Sequence, residues 1–265
     1  MKQPINVYIG YDSREPEAYD VCSHSLLKFN NEDFSVNTIP LKHQELRDCG
    51  LFERRWVIDE EGQYWDELDG KPFSTEFSHS RFAIQEYAKT IQKQSGWTMF
   101  VDCDFLFRRP VKNLFDLIDD KYAVMCVKFD WQPRSTVKMD NKIQTSYPKK
   151  LWSSLMLWNL DHPANKKMGY IILNNAYGID FHTFTWLEDD NLIGTIPDEW
   201  NYVPGVSLSN KDPHAVHFSE GGPWFKGYES VEFAYEWRDE NVKSMYDKWD
   251  MIRSATCMRK TIAGK

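Results

Sequence analysis

The stretch TMFVDCDFLFRRPV, residues 98–111, places two carboxylates, Asp102 and Asp104, at the end of an otherwise apolar run. Met99, Phe100, Val101, Phe105, Leu106 and Phe107 read as a buried strand. An ionised carboxylate is costly to bury unless it is paired or bound to a metal. Residues at i and i+2 of an extended strand project to the same side. The reading therefore converges both carboxylates on one point and turns Cys103 towards the opposite layer. Hard oxygen ligands that leave open positions suit Mg2+ or Mn2+, above all when a substrate phosphate completes the shell. The competing reading has one aspartate capping the following turn and the other paired with Arg108 or Arg109.

Outward from this stretch, strands and helices alternate. INVYIGY (5–11) and FSVNTIPL (34–41) read as strands, and EPEAYDVCSHSLLKF (15–29) between them has its apolar residues at helical spacing. HSRFAIQEYAKTIQK (79–93) is expected to be one amphipathic helix through Phe82, Ile84, Tyr87, Ala88 and Ile91. After Pro110 come a short helix, the strand YAVMCVKF (122–129), the strand LWSSLMLWNL (151–160) and the helix PANKKMGYIILNN (163–175). A closing helix is expected over 230–249. Such alternation implies an α/β fold with a mostly parallel central sheet flanked by helices. The expected division is one domain over 1–250 and a basic, mobile C-terminal tail over 251–265. In open sheets of this kind ligands gather beyond the carboxyl ends of strands, which is where Asp102 and Asp104 sit.

The 265 residues are 42% hydrophobic and 15% aromatic, ample for a core. The 32 basic against 40 acidic residues argue against a nucleic-acid partner. An anionic ligand is still accessible, because a bound divalent cation reverses the local sign. The five cysteines (Cys22, Cys49, Cys103, Cys126 and Cys257) form no CxxC pair, so a disulfide framework or zinc knuckle is not expected. The chain enters a strand directly after MKQP, and no apolar run approaches the roughly 20 residues needed to span a bilayer. The expectation is a cytoplasmic protein without a transmembrane segment.

A third metal ligand is sought near the other end of the chain. His217 ends a short apolar strand in VHFSEGGPW and is followed by Gly221, Gly222 and Pro223. Glycines let backbone N–H groups approach a phosphate closely, and Lys226 lies within reach of the same phosphate. A lone strand histidine is more often structural, and a surface lysine more often solvated. Eight of the eleven tryptophans fall after residue 130. Trp224 and Phe225, in the Gly-rich loop, are the candidates for stacking on a sugar ring, whose C–H faces suit aromatic surfaces. The long polar segment 131–150 is expected to border an acceptor cleft.

Taken together, these segments resemble the nucleotide-sugar glycosyltransferases of the GT-A type, and most nearly glycosyltransferase family 8. FVDCDFLF resembles that group's Asp-x-Asp metal motif, VYIGYD its first strand, STEFSHSRF its segment with an arginine near the donor, SSLMLWNL the strand beneath the donor sugar, IPDEWNY a late Pro-x-x-Trp-Asn segment and VHFSEGGPW its His-aromatic ending. The resemblance covers most of the first ~230 residues. It implies a single Rossmann-like GT-A domain. It also implies a hexosyltransferase that moves a sugar from a nucleoside-diphosphate donor, UDP favoured, to a glycan or other hydroxyl acceptor. Mn2+ or Mg2+ on Asp102, Asp104 and His217 would serve as Lewis acid. Tyr11 and Asp12 would contact the nucleobase, Arg81 the donor phosphate or sugar, and Ser153 and Ser154 the sugar ring. Each has a plainer reading: Tyr11 in the core, Asp12 as the cap of the first helix, Arg81 on a helix surface, and the serines as small packing residues.

The sequence departs from that pattern in two places. Gly222 stands where the family has a lysine before Pro-Trp, in a loop one residue shorter. The family's Asp-Gln-Asp cluster near the reacting face of the sugar has no clear counterpart, and Asp189 and Asp190 are the candidates for its catalytic role. These departures keep open a non-catalytic nucleotide-sugar or carbohydrate-binding protein on the same fold. A phosphatase of the haloacid dehalogenase type also carries DxD after an apolar strand. Its motif sits near the N-terminus with Thr or Val where this chain has Leu106.

Overall fold

A computed structural model describes residues 4–133, 142–143, 145–207 and 212–263, with backbone alone over 254–263. Part of the 131–150 segment, the side chain of Cys257 and the basic residues beyond Arg253 therefore lie outside the described side chains.

Eleven strands are described: β1 (Ile5–Gly10), β2 (Val36–Leu41), β3 (Trp56–Ile58), β4 (Tyr64–Asp66), β5 (Pro72–Phe73), β6 (Trp97–Val101), β7 (Phe105–Phe107), β8 (Val124–Cys126), β9 (Leu155–Asn159), β10 (Ile193–Thr195) and β11 (Ala215–His217). Six form a central sheet in the order β10-β8-β9-β6-β1-β2. Neighbours are parallel except at β9, which runs against both β6 and β8. The central strands are buried along most of their length, as continuous apolar runs covered on both faces should be. The first helix (Pro16–Leu27) begins with proline at its first position, where a missing N–H is tolerated, and buries Ala18, Val21, Cys22, Ser25 and Leu26.

Three departures from the expected elements stand out, the first two of which position the site. The quoted apolar run is not one strand. β6 stops at Val101, residues 102–104 turn, and β7 resumes in a different, two-stranded sheet with β11. The 79–93 segment is not a regular helix either. It passes from a 3-10 turn (Ser80–Ala83) through one α turn (Ile84–Glu86) to a π turn (Tyr87–Ile91). Ser80, Arg81, Phe82, Ala83, Ile84 and Gln85 are all buried, so no face is left for solvent, and the tight first turn carries Arg81 inward. The last helix spans Ala234–Ala263, beginning later and continuing through most of the expected tail. Among the described residues, no helix is long and apolar enough to cross a membrane.

Candidate active site and metal centre

The reversal of β9 builds the site. Because β9 runs antiparallel to β6, its first residues lie beside the carboxyl end of β6. Val101 pairs with Leu155, and the Asp102 amide donates to the Ser154 carbonyl at 2.9 Å. Ser153 and Ser154 are thereby set against the turn that carries Asp102 and Asp104. On the other side, β11 pairs with β7 so that His217 lies opposite Phe105, and the Phe218 amide donates to the Asp104 carbonyl at 2.9 Å. The imidazole stacks on the Phe105 ring, with centroids 4.3 Å apart and planes 14° off parallel.

This arrangement brings one ligand atom each from Asp102, Asp104 and His217 within 4.8 Å of one another, with all three residues buried. His217 Nε2 stands 3.3 Å from Asp104 Oδ1. The convergence expected from strand pleating is present, but the turn between two sheets produces it. Two carboxylates and an imidazole, opening on a cavity, are a donor set that Mn2+ or Mg2+ can take. Arg81 Nη1 lies 2.8 Å from Asp102 Oδ1 and donates to the Ser153 carbonyl at 3.0 Å. Arg108, by contrast, is committed to Asp212 and Glu236, and Arg109 to Asp212. The cation facing the acidic pair therefore comes from a remote turn rather than from the next residues in sequence.

The triad lines a cavity of about 680 Å3. Of the residues singled out in the sequence, Arg81, Asp102, Asp104, Ser153, Ser154 and His217 line it. Asp69, His79, Tyr147 and His182 also line it; His79 falls in the STEFSHSRF segment and Tyr147 in the 131–150 segment, whereas Asp69 and His182 carry no periodicity or motif by which they could have been found. His182 Nδ1 lies 2.9 Å from Ser153 Oγ. Burial, with the nearby Arg81 charge, holds the His182 imidazole well below the usual range and therefore neutral. Burial beside Arg54 pushes His79 down to about 3. Burial lifts the Tyr147 phenol to about 12, keeping its proton available for donation. Asp69 is held by Arg54 Nη2 at 3.3 Å and by the Gly178 amide at 2.8 Å. The wall of this cavity thus includes two neutral imidazoles and a protonated phenol, beside the charged side chains of Asp69, Lys71 and Lys150. From the 131–150 segment, Ile143, Thr145, Ser146, Tyr147 and Lys150 border the cavity.

The other expected site residues lie outside this lining, each for a visible reason. Asp12 is fully buried and its carboxylate accepts from Arg14 at 2.6 and 2.9 Å and from the Glu76 amide at 3.1 Å. Those bonds occupy the oxygens expected to meet a nucleobase. Tyr11 packs edge-on against Tyr19 beneath the Lys42 ammonium. Trp224 is turned inward, its ring 5.0 Å from Trp237 and its indole N–H donating to Glu15 at 3.1 Å, with Phe225 beside it. Gly221 has φ +143°, and a Cβ there would meet the Tyr228 ring. At Gly222 a Cβ would strike Trp224. Both glycines are thus required by aromatic packing within the loop. Lys226 is exposed. Asp189 accepts from the Asn191 amide to cap a short turn, and Asp190 pairs with Lys149 at 2.5 Å. Both are exposed.

No protein-family model matches the chain. It is 44% identical over 244 residues to Protein CDI of Arabidopsis thaliana, covering 90% of this chain and 86% of that protein. Among solved structures it is similar to the WbbM bifunctional glycosyltransferase, with a TM-score of 0.58, 12% identity, and coverage of 91% of this chain and 50% of that one. It is similar to the glycosyltransferase GlyE of Streptococcus pneumoniae, with a TM-score of 0.54, 10% identity, and coverage of 91% and 61%. An active-site mutant of LgtC gives a TM-score of 0.50 at 10% identity, covering 90% of this chain and 96% of that one. The chain spans about half the length of WbbM and about three fifths of GlyE. At these identities the likeness shows the fold, which is that of the GT-A glycosyltransferases.

Proposed function

The chain belongs to the family of the Arabidopsis thaliana Protein CDI, and from its GT-A fold and buried acidic triad we propose that it is a metal-dependent glycosyltransferase. The donor is a nucleoside-diphosphate sugar, UDP favoured, and the acceptor a hydroxyl of a glycan or another molecule. One observation carries the reading: Asp102, Asp104 and His217 converge within 4.8 Å in the lining of a strand-end cavity on this fold.

Asp102, Asp104 and His217 would hold Mn2+ or Mg2+. When bound, such an ion supplies Lewis-acid stabilisation of the negative charge on a diphosphate leaving group. The chain's own groups do the rest. Arg81 places a guanidinium beside Asp102, where it partly offsets the charge of two buried carboxylates and faces an anionic donor. Ser153 and the neutral His182 offer a hydroxyl and a ring nitrogen to sugar hydroxyls, and Ser154 lines the cavity beside them. Tyr147 and its neighbours border the cavity from the 131–150 segment, consistent with an acceptor side there.

A second reading, a binding protein that has kept the fold without turnover, is favoured by one feature. Asp189 and Asp190 lie outside the cavity lining instead of at a reacting face. Release of UDP or GDP from a panel of nucleotide sugars, with and without Mn2+, separates the two. Metal-dependent release from one donor supports the transferase. Binding of donor and metal by thermal shift, with no release in the presence of varied acceptors, supports the binding protein. Absence of both binding and release refutes the assignment.

A further inference from the structure

A chain of hydrogen bonds runs behind the triad. The Leu151 carbonyl can only accept, and Ser154 Oγ lies 2.7 Å from it, so the hydroxyl proton points there. The oxygen lone pairs of Ser154 are then left to accept from Asn201 Nδ2 at 2.8 Å. That bond sets which way the Asn201 amide faces, and its Oδ1 is turned to His217 Nδ1 at 2.9 Å. An amide oxygen has no proton to give, so Nδ1 of the imidazole carries the hydrogen. In the neutral ring the lone pair is then on Nε2, the atom 3.3 Å from Asp104 Oδ1.

Two further details mark this as a built feature. Asn201 is fully buried, so its amide meets protein groups instead of water. The backbone of the same Ser154 accepts from the Asp102 amide, so one residue fixes the chain at Asp102 and the ring at His217 together.

We propose that Asn201 is a positioning residue that holds His217 in the Nδ1–H tautomer and aims Nε2 at the cation site beside Asp104. The proposal rests on reading the triad as a metal site, and it adds the group that makes the histidine a ligand and not a hydrogen-bond donor to Asp104. Outer partners of this kind orient the ligating ring and raise its basicity.

The test uses the full chain without added donor. Mn2+ binding is followed by the loss of the free-ion paramagnetic resonance signal, and the His217 tautomer by two-bond nitrogen–proton NMR of the metal-free protein. Asn201→Leu is expected to weaken Mn2+ binding by about 10- to 100-fold. Asn201→Asp is expected to bind at least as tightly as wild type, since a carboxylate still accepts from Nδ1–H. Ser154→Ala, which only frees the amide to flip, should lose less than Asn201→Leu. If wild type binds Mn2+ but Asn201→Leu binds equally well, the relay is overturned while the metal reading stands. A wild-type His217 found with its proton on Nε2 overturns the relay regardless of any metal result. Should wild type bind no divalent ion, the metal reading falls and takes this inference with it. If Asn201→Leu does not fold, the comparison of Asn201→Asp with Ser154→Ala still decides, because a merely structural role predicts losses in both.

Discussion

Replacing Arg81 by methionine removes the guanidinium that stands 2.8 Å from Asp102 and leaves the carboxylates of Asp102 and Asp104 without that neighbouring cation. Both partners are nearly buried, Arg81 at 6% and Asp102 at 8% exposure, so water can replace little of the lost interaction. Methionine keeps the apolar contact with the Phe77 and Phe100 rings, against which the guanidinium now packs. The charge is therefore the main thing lost. Breaking a buried ion pair from one side costs about 3–5 kcal/mol. For a chain of this size that corresponds to a fall of roughly 6–20 °C in melting temperature. A divalent ion at the triad supplies positive charge at the same place, and without Arg81 it no longer competes with a guanidinium for Asp102. At a Mn2+ concentration about 100-fold above its dissociation constant, binding itself contributes about 2.7 kcal/mol. Wild type gains the same amount where it binds Mn2+ equally well, so the melting-temperature gap narrows only to the extent that the variant binds the ion more tightly, by about 1.4 kcal/mol for each tenfold in affinity. Differential scanning calorimetry of both proteins, with and without Mn2+, measures each quantity. A metal-free variant melting within about 2 °C of wild type, or a gap that Mn2+ leaves unchanged, would refute the charge argument. On the transferase reading, nucleotide release should fall in the variant even where metal restores its stability, because Mn2+ at the triad does not replace the Arg81 guanidinium in the cavity lining.

Three other outcomes are expected. Asp104→Asn should abolish the Mn2+-induced thermal shift and lower nucleotide release by at least about 100-fold, and a variant that keeps both would remove Asp104 from the metal set. Stability should fall as pH drops below about 6.5, because unfolded histidines take up protons there while His79, held at about 3, and His182, held well below its usual range, do not. The unfolded state then binds more protons, so each of the two loses about 1.4 kcal/mol per pH unit, and urea melts at pH 7 and 5 should show the slope flattening in a His79→Gln, His182→Asn double variant. Arg54→Met strips a fork that holds Asp66 at 2.6 and 3.0 Å, both residues being buried, and should destabilise the wall formed by β3, β4 and β5 by about 3–5 kcal/mol in chemical denaturation.

Asp102 and Asp104 were legible because their message is local. An apolar run followed by two close acids sets burial and charge at one place in the chain, whatever the rest does. His217 was legible for the same reason, as the last residue of a short strand before a glycine turn. The alternation of apolar runs likewise specified an α/β sheet, since strand and helix periods are written residue by residue. The tertiary structure decided who meets whom. It broke the apolar run into strands of two sheets, so that a turn and not a pleat aims the carboxylates. It reversed β9, which put Ser153 and Ser154 beside Asp102, and tightened the 80–91 segment so that Arg81 reached inward. It spent Asp12 on Arg14 and Trp224 on Trp237 and Glu15; it brought His182 to the site from a segment with no distinguishing pattern, and it gave roles to His79 and Asn201 that the STEFSHSRF and IPDEWNY segments did not specify. Periodicity encodes whether a side chain is buried. Which buried partner satisfies it depends on packing between distant segments, and one residue's neighbours in sequence carry no record of that.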